Sequence, residues 1–157
     1  MPRPDRALMA TLLASALIAA IAAPVAAQSQ VDITADNFTI DDAARNAVFT
    51  GNVVVIHPSV TVWAPTVTVL YGEGGTSDVQ RFEATGSVRL KTTDQEATGQ
   101  RAVFDPASRV LRLTGSVHVV NAGGQVSASE LVVDLDSGTS TFSSGSGGRV
   151  TGTFTTQ

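Results

Sequence analysis

The stretch Val110-Leu111-Arg112-Leu113-Thr114-Gly115-Ser116-Val117-His118-Val119 places an apolar side chain at every second position on either side of a single glycine. Such alternation marks a β-strand with one buried face. A glycine inside that pattern signals a bulge, a bend or a close backbone approach, because it lacks a Cβ and otherwise weakens the strand. The signal recurs in Thr50-Gly51-Asn52-Val53, Thr85-Gly86-Ser87-Val88 and Thr114-Gly115-Ser116-Val117, with glycines 35 and then 29 residues apart, and more weakly in Val150-Thr151-Gly152-Thr153-Phe154. The chain is built on an internal β-repeat.

A second signal alternates with the first. Ala35-Asp36, Ala64-Pro65, Ala97-Thr98 and Ala128-Ser129 are expected to open strands such as 67–69, 101–104 and 131–135. Turn chemistry falls at Asp41-Asp42-Ala43-Ala44, Gly72-Glu73-Gly74-Gly75, Asp105-Pro106-Ala107-Ser108 and Asn121-Ala122-Gly123-Gly124. The Ser/Gly/Thr-rich run 137–148 reads as a loop or a solvated strand pair, interrupted only by Phe142. No sustained apolar spacing of helical period follows the first 27 residues. Strands of this kind, each with one apolar face, must close over a shared core as a sandwich, a barrel or a rolled sheet.

The N-terminus has a different composition. Arg3 and Arg6 precede an uncharged Ala/Leu/Ile run over residues 7–23, and Val25-Ala26-Ala27 sets small residues before Gln28. This pattern predicts a signal peptide, residues 1–27, cleaved after Ala27 and leaving one domain over 28–157. The alternative is a retained anchor, since the apolar run lies at the lower edge of the spanning range.

The chain has no cysteine, so no disulfide supports an exported fold and burial must hold it. Its formal charge of −4 becomes −5 once Arg3, Arg6 and Asp5 are removed, which argues against nucleic acid as a partner. Charge is uneven, however. Arg81, Arg89, Lys91, Arg101, Arg109 and Arg112 face only Glu83, Asp94, Glu96 and Asp105 in the same stretch, a local balance of +2. That basic middle suits either an anionic ligand or a scatter of solvated arginines.

Catalytic and metal signals are absent from the sequence. Ser144-Gly145-Ser146-Gly147-Gly148 lacks the glycine offset of a nucleophile elbow. His57 and His118 stand apart from any second histidine, and Asp32, Asp36, Asp41 and Asp42 lack calcium-loop spacing. Gly72-Glu73-Gly74-Gly75 is a turn rather than a phosphate loop, and Asn37-Phe38-Thr39 is a chance glycosylation triplet. The expectation is a protein that is not an enzyme and needs no cofactor or metal.

Three phrases resemble a known family: Phe49-Thr50-Gly51-Asn52-Val53-Val54-Val55; 97–105 followed by Leu111-Arg112-Leu113-Thr114-Gly115-Ser116-Val117; and Ser129-Glu130-Leu131-Val132-Val133-Asp134-Leu135 before Gly138. With Arg149-Val150-Thr151-Gly152-Thr153-Phe154 closing the chain, their order resembles the LptA family, the OstA-like lipopolysaccharide transport proteins of the periplasm. The resemblance implies an all-β, single-domain rolled antiparallel β-jellyroll, open like a taco, whose hydrophobic groove shields the acyl chains of lipid A. It also implies head-to-tail self-association through the sheet edges near Ile33-Thr34 and 150–154, with an inner-membrane LptC-type and an outer-membrane LptD-type partner. If residues 7–23 stay as an anchor, the chain would instead resemble the inner-membrane partner. A structural or adhesive β-repeat protein with a dry interior is the rival from another class.

Alternation places Phe49, Val53, Val55, Phe82, Val88, Leu90, Phe104, Leu111, Leu113, Val117, Val119, Leu131, Val133 and Leu135 on the inner face. The resemblance makes these the lipid-binding groove. Read as residues alone they suit lipid contact or ordinary core packing, and a single strand does not separate the two. Arg89 and Lys91 fall on the opposite face.

Overall fold

The computed structural model describes residues 30–157, so the expected signal peptide lies outside the described residues. The strands are β1 (Asp32–Thr34), β2 (Asn37–Asp41), β3 (Asn46–His57), β4 (Val60–Tyr71), β5 (Val79–Lys91), β6 (Gln95–Asp105), β7 (Val110–Asn121), β8 (Gly124–Asp134), β9 (Thr139–Ser143) and β10 (Thr151–Phe154). A 3-10 turn at Gly75–Ser77 interrupts them, and no helix among the described residues is long and apolar enough to cross a membrane. All ten strands belong to one antiparallel sheet.

Consecutive strands pair from β3 to β8, and the two edges are each made in two pieces. On one edge β2 pairs with Asn46 to Thr50 of β3 and β1 with Val54 to Ile56. On the other, β9 pairs with Glu130 to Asp134 of β8 and β10 with Gly124 to Ser127.

The Thr-Gly-x-Val signal lies in mid-strand, where the sheet folds in two. Thr85 pairs with Arg101 and Val88 with Gly99, so β5 carries one more residue than β6 across this interval. The same excess separates β3 from β4 between Thr50 and Val53, and β7 from β8 between Thr114 and Val117. An extra residue in one strand of an antiparallel pair is a bulge, which bends the strand and sharpens its twist. Gly51, Gly86 and Gly115 take φ of +82°, +95° and +83°, a region closed to most side chains. The crowding at Gly86 is specific, since a Cβ there would stand 2.7 Å from Cγ of Pro65.

Of the small-residue pairs, only Ala35-Asp36 leads into a strand as expected, directly before β2. Ala64-Pro65 and Ala128-Ser129 sit inside β4 and β8 at the bend, Ala97-Thr98 lies just short of it in β6, and Ala35-Asp36 fills the gap between β1 and β2. Their role is steric. Val53 lies opposite Ala64, Val88 opposite Gly99 and Val117 opposite Ala128, so each buried valine faces a small partner. Leu113 packs over Gly99, where a Cβ would come within 2.7 Å of its side chain.

The core follows this bend. Val53, Val67, Val88, Leu113 and Val117 are almost fully enclosed, and one apolar cluster joins the two halves of the sheet. We expect Leu113→Ala to cost about 2–5 kcal/mol in urea unfolding. Gly86→Ala should cost about 1–3 kcal/mol, from strain and the clash with Pro65. Gly138→Ala, which shares a positive φ (+69°) but meets nothing within 4 Å, should cost less than Gly86→Ala.

Candidate functional site: an apolar groove between the half-sheets

Away from the bend the inner faces diverge and leave a groove. Its throat, about 70 Å³, is walled by Val55, Val60 and Val62 of one half-sheet and by Val67, Phe82, Ala84, Ala102, Phe104 and Leu111 of the other. Local sequence explains the hollow. Ala84 and Ala102 are direct partners on adjacent strands, and Phe82 and Phe104 are partners one inward position farther out. Small side chains thus lie beneath a pair of large ones, whose rings stand 6.2 Å apart. A vestibule of about 800 Å³ lies outside the throat, where Phe38, Phe49, Tyr71, Thr76, Ser77 and Arg109 join the wall. That volume falls in the range of small-molecule pockets.

The residues expected on the inner face divide into distinct environments. Val55, Phe82, Phe104, Leu111 and Leu135 line the throat, and Phe49 lines the vestibule. Val53, Val88, Leu90, Leu113, Val117 and Leu131 are buried in the packed core, with half-buried Val133 against it. Val119 is buried as well, and borders a separate hollow of about 380 Å³ beside Phe142, Val150 and Phe154. Sequence reasoning missed Val31, His57, Val60, Val62, Val67, Ala84 and Ala102 in the throat. The alternation in Val60-Thr61-Val62 and Val67-Thr68-Val69 was the signal that held four of the missing wall positions in and beside the throat.

The basic middle is matched locally by acids. Arg101 pairs with Glu83 at 2.9 Å and Arg112 with Glu130 at 2.9 Å. Arg89 grips Glu96 through two hydrogen bonds, of 2.7 and 3.1 Å, and lies 4.8 Å from the centre of the Trp63 ring. The hydrogen bonds from Arg89 hold the Glu96 carboxyl below its usual range. His118, facing Ser127 at 2.9 Å, shares this convex surface.

At the vestibule wall the hydroxyl of Tyr71, a residue buried as a whole, donates to Oδ1 of exposed Asp42 at 3.0 Å, tying the β2–β3 turn to the end of β4. Desolvation, reinforced by Asp42 and then Asp41, raises the phenol above its ordinary value.

A family model described as "LptA/(LptD N-terminal domain) LPS transport protein" matches residues 32–139. The chain belongs to this family. An uncharacterized protein of Rhizobium meliloti (strain 1021) is 32% identical over 127 residues, covering 76% of this chain and 68% of the relative. The crystal structure of LptH from Pseudomonas aeruginosa, titled the LptA homologous periplasmic component of the conserved lipopolysaccharide transport device, superposes with a TM-score of 0.70 at 18% identity. It covers 81% of this chain and 96% of LptH. At that identity the likeness establishes the fold, the LptA-type β-jellyroll. This LptA-family chain is a lipopolysaccharide transport protein, and membership in a transport family sets it apart from enzymes.

Tyr71 is the single tyrosine, so its ionisation can be followed directly by tyrosinate absorbance. The folded protein should titrate above 10.0 and the urea-unfolded chain near 10.0, with Asp42→Asn moving the folded midpoint back toward that value. Because the folded value is the higher one, the stability linked to the Tyr71 proton is complete below 10.0 and is lost as pH rises through the folded midpoint.

Proposed function

We propose that this protein is a periplasmic carrier that shields the acyl chains of lipid A in the groove between its half-sheets. The observation that carries the reading is the apolar throat in a member of a lipopolysaccharide transport family. Each CH₂ withdrawn from water contributes about 0.8 kcal/mol, so an apolar wall holds acyl chains without any reactive group. Phe82, Phe104, Val55, Leu111 and Leu135 are the contacts, whereas Val53, Val88, Leu113 and Val117 serve the core.

The same proposal gives the edges a role. Phe38 and Ile40 on β2 are large and exposed, as are Val150 beside β10 and Phe154 on it, and β9 and β10 contain neither proline nor charge. Edges without those protections favour strand addition. Copies of this chain, an inner-membrane LptC-type protein and an outer-membrane LptD-type protein would dock there. Export to the periplasm is supported by Arg3, Arg6, the apolar run 7–23 and Val25-Ala26-Ala27.

A photo-crosslinking residue at Phe104 should capture lipopolysaccharide in the living host, and one at Val103, on the opposite face of β6, should not. Equal capture at both sites, or none at Phe104, would overturn the carrier reading. The intact mass of the protein from its host should show cleavage after Ala27; an uncleaved chain would replace the soluble carrier with an anchored partner of the same pathway.

A further inference from the structure

We propose that Arg109 and His57 form an anion subsite at the groove mouth, holding the phosphate-bearing head of an amphiphile while its tail occupies the throat. The proposal rests on the carrier reading and adds an orientation and a head-group chemistry to it.

Polarity along the groove runs one way. The throat is apolar apart from His57, while the vestibule adds Tyr71, Thr76, Ser77 and Arg109. Val31, His57, Phe82, Phe104 and Leu135 border both spaces and form a collar between them. A hydrocarbon tail therefore fits below the collar and a charged head above it. His57 is the polar member of that collar. Its Nδ1 accepts a hydrogen bond from the Ser59 N–H at 3.1 Å, which leaves the ring proton on Nε2 as a donor even in the neutral imidazole.

Arg109 shares with Arg45 a backbone conformation that glycine adopts more freely, and is set apart from it by its place on the vestibule wall. The turns beginning at Asp41, Asp105 and Asp134 share one design, in which the aspartate Oδ1 accepts from backbone N–H groups two or three residues later. Each reaches a residue with positive φ: Arg45 at +52°, Arg109 at +55° and Gly138 at +69°. Glycine adopts this conformation freely and arginine does so at a cost. The third turn uses glycine, so an arginine at 109 is a strained choice that the turn itself does not need. The 109 carbonyl accepts from the Leu135 N–H at 3.0 Å, fixing the turn against the strand that closes the collar. Arg89, Arg101 and Arg112 pair with acids of neighbouring strands, and Arg109 alone of these four borders the vestibule.

Asp136 meets Nε of Arg109 at 2.8 Å, but both side chains are more than half exposed. An ion pair of this kind is weak and orients the guanidinium without saturating its five N–H donors.

The test compares dodecyl phosphate with dodecyl maltoside, which share a tail, by binding to the purified protein below micelle-forming concentrations. The protein should prefer the phosphate by about tenfold. Arg109→Gly should abolish most of that preference, leave maltoside affinity unchanged and keep or raise the urea midpoint. His57→Leu should reduce the preference in part. An unchanged ratio in Arg109→Gly overturns the subsite, and so does a loss of affinity for both amphiphiles with a lowered urea midpoint, which would make the arginine structural. Inorganic phosphate should not displace dodecyl phosphate at equal concentration; if it does, the subsite serves free phosphate and the amphiphile assignment falls. Ala102→Leu, which fills the throat, should weaken both amphiphiles alike. Failure of the native protein to bind either one would overturn the underlying carrier reading instead.

Discussion

One constraint shapes the molecule: alternate strands carry one residue more than their neighbours along the same row of the sheet. The excess at Gly51, Gly86 and Gly115 cannot be absorbed by a flat ladder, so the sheet folds there. The left-handed residues that permit it, Asn52 and Ser116 included, are conformationally costly. Burial of Val53, Val88 and Val117 in that same row offsets the cost.

Bulged strands and their partners solve the bend differently, and this decides what could be read in advance. In β3, β5 and β7 the inward positions keep an even spacing through the glycine, as in Leu111, Leu113, Val117 and Val119. Period two survives, and alternation located those residues. In β4, β6 and β8 the phase slips at the bend, from Ala64 to Val67, from Gly99 to Ala102 and from Ala128 to Leu131. A pattern that changes phase in mid-strand looks like two short strands, so Ala64, Ala97 and Ala128 look like strand openings and the inward valines of β4 escape the alternation. The rolled β architecture was therefore legible, while half of the groove wall was not.

Whether an inward residue packs or lines a cavity was illegible for another reason: alternation reports a face, not the distance to the opposite face. In a folded sheet that distance grows away from the bend. Val53 is 1% exposed at the bend, Val55 is half-buried two residues on, and His57 reaches the mouth. Leu113 and Leu111 repeat the sequence on the facing half, at 1% exposed and half-buried. The groove is thus what remains when two half-sheets meet at one end only, with Ala84 and Ala102 deepening it locally.

The bend also reaches the edges, and this links the fold to transport. The gap between β1 and β2 lies at Asp36, whose N–H donates to the Gly51 carbonyl at 2.9 Å, and the gap between β9 and β10 flanks the bend of β8. Both edge strands are broken where the sheet folds. A neighbour adding strands to such an edge must itself bend in that row to pair on both sides of the gap. Under the proposed stacking, registry of the bends would bring the grooves of successive molecules into line. An acyl chain held only by apolar contact could then pass along without a covalent step, and the direction of movement would have to be imposed by the partners at the ends.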